Sequence, residues 1–169
     1  MDLAYKIEFS GPLFDGRAVQ GMQDETDAFI VESVAYLETL VKKYTPVGVF
    51  GAQGGLLGGI YGEPVQLGSP VAMGIVGHQS GIYGDIVERG RQPGKMPPKG
   101  SLIRWINVVL GVEGKRAEGL DYAIRRKIAE RGTQGAAMFF NAMEEGWPVL
   151  QKMAQKSGGS IADKMRGNG

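Results

Sequence analysis

Cysteine is absent from this 169-residue chain, and histidine occurs once, at His78. The first absence excludes disulfides and thiolate chemistry and fits a reducing compartment. The second leaves no ligand set for a transition metal and no histidine-dependent nucleophilic triad, so His78 reads as a polar residue at a strand end. No apolar run is long enough to span a bilayer. The N-terminus, MDLAYKIEFSGPLFDG, has no basic start leading into an apolar run, so no secretory leader is expected and the chain reads as a soluble protein made inside the cell.

Nucleotide-binding loops are missing as well. Gly114-Lys115 is followed by Arg116 rather than Ser or Thr, and the position five before Gly114 is Val109, so no phosphate loop is formed there. The glycines from Gly51 to Gly59 do not make G-x-G-x-x-G after a convincing strand. Acidic pairs such as Glu144-Glu145, or Asp85 with Glu88, read as surface or capping residues, because spacing alone does not make an acid/base couple. No catalytic constellation emerges, and neither a cofactor nor a metal is expected.

What the chain does have is glycine, 28 residues of it, and an uneven distribution of charge. The net charge is +1, but residues 1–41 carry eight acids against two bases, and residues 42–169 carry seventeen bases against ten acids. Within one copy the two halves can pair internally. Between copies they would give orientation and register. From Arg89 to Val112 there are five bases, Arg89, Arg91, Lys95, Lys99 and Arg104, and no acid. This arm is stiffened by Pro93, Pro97 and Pro98 and is poor in apolar periodicity, so it predicts an interface element that lies against something outside itself.

Taken in order, Leu3, Tyr5, Ile7 and Phe9 alternate with Ala4, Lys6 and Glu8 and predict a short strand. A helix beginning at Asp24 or Thr26 carries Ile30, Val34, Leu37, Val41 and Tyr44 on one stripe and ends before Pro46. Seven glycines between Gly48 and Gly62 then argue against regular structure, since each would cost roughly 0.5 to 1 kcal/mol relative to alanine in helix or strand. A mobile loop is expected, with a strand at 56–61, further strands at 65–67 and 71–76, and a turn at Gly68-Ser69-Pro70 between them. Ile82, Tyr83, Ile86 and Val87 fit a short helix stopped by Gly90. Ser101 is the expected N-cap of a helix ending at Gly111 that buries Leu102, Trp105, Ile106 and Val109. A helix over 115–131 follows, and Arg125, Arg126, Lys127 and Arg131 crowd its other faces as a DNA-facing or partner-facing cluster, or simply a solvated face. The last helix is expected from near Thr133, with Gly146 and Pro148 kinking or breaking it. The aromatics Tyr83, Trp105, Tyr122 and Phe139 read as core packing rather than base-stacking platforms. The fold class is α+β: a small antiparallel sheet packed by a long N-terminal helix and several C-terminal helices, one domain over residues 1–156 with a flexible tail over 157–169.

Four features, in this order, resemble the tail-completion or neck proteins of tailed bacteriophages, the gene-product-ten-like tail components. A long amphipathic helix ends at a Pro-x-Gly turn (Pro46, Gly48), and a glycine-rich β segment follows. A tyrosine to Val-Glu-x-Gly element comes next (Tyr83, Val87, Glu88, Gly90), then a closing helix opened by Gly132-Thr133 with Phe139, Phe140 and Ala142. The stretches RQPGKMPPKGSLIRWI and IRRKIAERGT look like the helical insertion of a longer subgroup. The likeness covers about residues 27–156. The glycine segment GVFGAQGGLLGGIYG departs from it, being longer than the family's usual Leu-x-x-Ser-Ile continuation. The resemblance implies a virion protein without enzymatic activity, assembled in the host cytoplasm into a ring at the head-tail junction. It would stand between connector or stopper and tail terminator or tube, with DNA passing through as cargo. Six subunits are the natural number and twelve the alternative, and no membrane is involved. The competing expectation is a small soluble ligand-binding or enzymatic domain that uses the glycine segment as a lid over Asp85, Glu88 and His78.

Overall fold

The computed structural model describes residues 11, 15–49, 55–69 and 71–166, and the expected strand at Leu3 to Phe9 lies outside them. The fold is α+β. Among the described residues the order is α1 (Arg17–Tyr44), α2 (Gly55–Gly58), β1 (Ile60–Gln66), β2 (Met73–His78), α3 (Gly81–Arg89), β3 (Gly90–Arg91), α4 (Ile103–Leu110), α5 (Gly114–Arg131), β4 (Thr133–Gln134) and α6 (Met138–Arg166). The strands form two small sheets, β1 with β2 and β3 with β4. The connection between β1 and β2 is far too short for a parallel crossover.

Where one domain and a tail were expected, contacts gather into two compact units. The first takes the described residues of 1–37, 62–75 and 146–169, and the second those of 38–61 and 76–145. Helix length is the physical reason: α1 has 28 residues and α6 has 29, each about 40 Å at 1.5 Å per residue, more than one small core can cover.

In the first unit, α1 begins before the expected Asp24 or Thr26, and the Arg17 backbone N–H donates to the Asp15 carboxylate at 3.0 Å where the helix opens. Asp24, Glu25 and Asp27 therefore sit inside the helix rather than at its start. Asp27 instead accepts from the Gly68 backbone N–H at 2.8 Å, fixing the turn after β1. The predicted stripe holds: Val34 and Val41 are buried, with Ile30, Leu37 and Tyr44 half-buried. Strand β2 lies so close to α1 that a Cβ on Gly74 would stand 2.2 Å from Val34 Cγ2.

Helix α6 runs through Gly146 and Pro148 without the break that was one expectation, and residues 157–166 are helix rather than flexible tail. Pro148 removes one N–H, so a single turn loses its hydrogen bond to Glu144 while buried side chains at Ala142 and Leu150 hold the helix on either side. The C-terminal turns are tied to α1 by Ser157 Oγ donating to Glu25 O at 3.3 Å and by Lys164 Nζ on Glu25 Oε1 at 2.8 Å.

The second unit has its core at Leu40, Val41, Leu56, Ile60, Ile106, Ala117, Met138 and Ala142. The glycine segment is more regular than predicted, for α2 occupies part of the expected strand at 56–61 and β1 starts only at Ile60. Leu56 and Ile60 are buried, and that apolar contact offsets the local glycine cost. Thr45 closes α1 with its hydroxyl on Val41 O at 2.6 Å. Lys43 Nζ reaches Glu145 at 2.7 Å, and the Tyr44 hydroxyl donates to the same carboxylate.

Candidate functional site

Three arrangements in the second unit grow from residues the sequence singled out. The first is a backbone crossing. Gly90, with φ 79°, ends α3, and its N–H returns to Ile86 O. Gly90 and Arg91 then pair antiparallel with Gln134 and Thr133. The chains approach so closely that a Cβ on Gly90 would lie 2.2 Å from Thr133 O, and one on Gly132 would lie 2.0 Å from Arg91 O. No side chain fits there. One turn away, the Glu88 carboxylate accepts from the Phe139 N–H at 3.0 Å and the Phe140 N–H at 3.3 Å, while its own carbonyl accepts from Ala137 N–H at 3.0 Å. An acid from α3 thus satisfies the first free amides of α6 and faces the positive end of its dipole. This explains why α6 starts at Met138 rather than at Thr133, which is spent on β4.

The second is a buried ion pair that anchors the basic arm. Asp121 and Arg125, one turn apart on α5, are 2% and 7% exposed, with Arg125 Nε 2.7 Å from Asp121 Oδ2. Asp121 also accepts from the Gly100 N–H at 3.1 Å and the Leu102 N–H at 3.2 Å, and Arg125 donates to Pro97 O at 3.1 Å. Burial pushes the Asp121 carboxyl up, but the Gly100 amide, the guanidinium and the Leu102 amide together outweigh it and hold it below the usual value. Gly94 N–H adds a bond to Ala129 O at 2.8 Å. At Gly94, Pro97, Gly100 and Leu102 the arm therefore lies against α5 of its own chain. Asp121 also displaces Ser101 as the group that starts α4: the cap position is Leu102 and no side chain caps it.

The basic candidates separate accordingly. Arg91 is half-buried in β3, its N–H on Thr133 Oγ1 at 3.1 Å and its guanidinium on Lys95 O. Arg89, Lys95, Lys99 and Arg104 are exposed. In the second cluster Arg125 faces inward, which removes it as a DNA or partner contact; Arg126 pairs with Glu130 at 2.7 Å, and Lys127 and Arg131 are exposed.

The third is a surface cleft of about 520 Å³ lined by Tyr61, His78, Asp85, Glu88, Arg89 and Phe139, with Val76 and Gly77. His78 packs its ring 6.0 Å from that of Phe139 and stands against Gly84, which is buried. His78 Nε2 lies 3.7 Å from Asp85 Oδ1, too long for a hydrogen bond, and Nδ1 is buried without a partner. Both Glu88 carboxylate oxygens accept α6 amides. Among the described residues, no three His, Asp or Glu side chains come together as a metal site, and no helix is long and apolar enough to cross a membrane.

What the sequence missed is how much apolar surface stays outside. Helix α3 exposes Ile82, Tyr83 and Ile86; α4 exposes Trp105, Val108 and Val109; α6 exposes Phe140 and Met143. Ile82 is 78% exposed, Phe140 66% and Trp105 38%. Tyr122 is exposed too, so core packing does not explain Tyr83, Trp105 or Tyr122, and on α4 only Ile106 of the expected set is fully buried. The signal was available: two of these helices carry apolar residues on more faces than one core contact can cover. Comparison with protein-family models, with curated proteins and with solved structures finds no match to this chain.

Proposed function

We propose that this chain is a structural subunit of a tailed-phage virion, acting without chemical turnover as part of a ring at the head-tail junction. The observation that carries the proposal is the unpartnered apolar surface on α3, α4 and α6. Scattered exposed hydrophobics are ordinary, but stripes at helical spacing on three helices of one unit mark surfaces that another chain covers. The resemblance in the order of the Tyr83 to Gly90 element and the Gly132 to Ala142 element points the same way, and the glycine crossing gives both elements a shared structural role. In this reading copies close into a ring, six being the natural number and twelve the alternative on a connector, with connector or stopper on one side, terminator or tube on the other, and DNA as passing cargo. The basic surface left after Arg125 is removed, Arg126, Lys127 and Arg131, meets either protein or phosphates; binding that weakens steeply with salt marks the latter.

Native mass spectrometry of the purified chain, and electron microscopy of particles made without it, test the proposal together. It expects a closed oligomer, and filled capsids that fail to join tails. Infectious, fully joined particles lacking the chain would refute it.

A second reading is favoured by the His78 cleft, which suits a small polar ligand resting on the Phe139 ring with Asp85 at its edge. Its mark is a ligand-induced rise in melting temperature that Asp85→Asn abolishes. Turnover of any substrate would favour this reading over the ring.

A further inference from the structure

The first unit contains a groove between α1 and α6 whose size and charge suit one part of the second unit. Its volume is about 160 Å³, and its lining includes Glu25, Ala28, Phe29 and Glu32 from α1 and Met153 and Lys156 from α6. That is too small for a typical ligand of 300 Å³ or more, yet it matches the roughly 150 Å³ that holds a single benzene ring. One aromatic side chain fits.

We propose that the groove receives α4 of a second copy, with Trp105 as the inserted side chain. Trp105, Val108 and Val109 form one exposed face of α4, with Arg104 at its edge, one turn before Val108. The two elements carry opposite formal charge in the sequence. From Ala18 to Val41, α1 has five acids, Asp24, Glu25, Asp27, Glu32 and Glu38, and no base; from Arg89 to Val112 there are five bases and no acid. Glu25 is held by Lys164, while Glu32 is exposed at the groove and faces incoming charge. Lys156 on the opposite wall sets the orientation, since it repels a basic edge and leaves the α1 side as the favourable one. Donor and acceptor patches differ, so the contact is heterologous, the kind that closes a ring or extends a filament. The inference rests on the ring reading and gives it a specific interface.

The absence of cysteine makes the test clean. Ala28→Cys and Val108→Cys variants are prepared separately, mixed and oxidised. Disulfide-linked pairs of one variant with the other are expected, with neither variant linking to itself, and the chain carrying both substitutions should form a ladder. Trp105→Ala should weaken self-association by roughly thirtyfold or more, as a central aromatic anchor does. Val108→Cys linking mainly to itself would replace this contact with a symmetric α4–α4 interface. Oligomers that form normally with Trp105→Ala and give no crosslink would refute the interface while leaving the ring intact. A wild-type chain that stays monomeric, alone and on virion components, would remove both.

Discussion

Replacing Asp121 with asparagine is the most informative single perturbation, because one carboxylate holds the loop before α4, the start of α4 and the buried guanidinium of Arg125. Asparagine keeps the shape and one acceptor but removes the charge. Arg125, 7% exposed, is then left buried without its counter-charge. Removing one member of a buried pair costs about 3 to 5 kcal/mol. For a chain of this size that is a fall in melting temperature of roughly 6 to 20 °C, at about 2 to 4 °C per kcal/mol. The acid limb adds a sign. The carboxyl sits below its ordinary 3.8 in the folded chain, so on acidification the unfolded chain takes up the proton first. The contribution is full above pH 3.8 and fades as the pH falls through the lower folded value; Asp121→Asn should lack this fade. Calorimetry gives the stability change, and hydrogen exchange locates it, with the Gly100 and Leu102 amides losing protection first. The double change Asp121→Leu with Arg125→Met should recover most of the loss, since an apolar pair of similar volume is often as stable as the ion pair it replaces. A single-variant loss under about 1 kcal/mol, or unchanged exchange at Gly100 and Leu102, would refute the clamp.

Gly132→Ala, whose new Cβ would stand 2.0 Å from Arg91 O at φ 72°, should cost several kcal/mol or prevent folding, whereas Gly119→Ala in open space on α5 should stabilise by about 1 kcal/mol; chemical denaturation separates the two. Glu88→Ala should cost about 1 to 2 kcal/mol through the lost cap and expose the Phe139 and Phe140 amides to exchange. Pro148→Ala should raise thermal stability by restoring a hydrogen bond inside α6, and a fall would mean the proline is required there. Charge reversal at Lys95 and Lys99, both exposed, should impair head-to-tail joining while leaving the melting temperature nearly unchanged, whereas reversal at Arg91, bound to Thr133 and Lys95, should lower it.

The fold class and the main helices were legible because they are written locally. The 30–34–37–41–44 stripe, the stop at Gly90 and the stop at Gly111 are features of a single element, and each is found where its pattern predicts. What escaped depends on residues far apart in the chain. The basic arm reads as unpartnered only because its holder, Asp121, is about twenty residues downstream and looks like any solvated acid on a charged helix. Arg125 is indistinguishable from Arg126 by type, yet a rotation of 100° around α5 separates a buried ion pair from a surface one. Pro148 and the tail misled because a local breaker loses to packing on both sides. The candidate site was partly visible: Asp85, Glu88 and His78 do meet at one cleft, but the commitment of Glu88 to the α6 amides is a tertiary fact.

The meeting of Arg91 with Thr133 makes everything between them a detour with a common entrance and exit. Chain length inside such a detour can change without displacing either end, so α4 and α5 form a module that evolution, or an engineer, can enlarge, trim or exchange for a short turn. The narrow glycine gateway stays fixed while the segment it encloses changes.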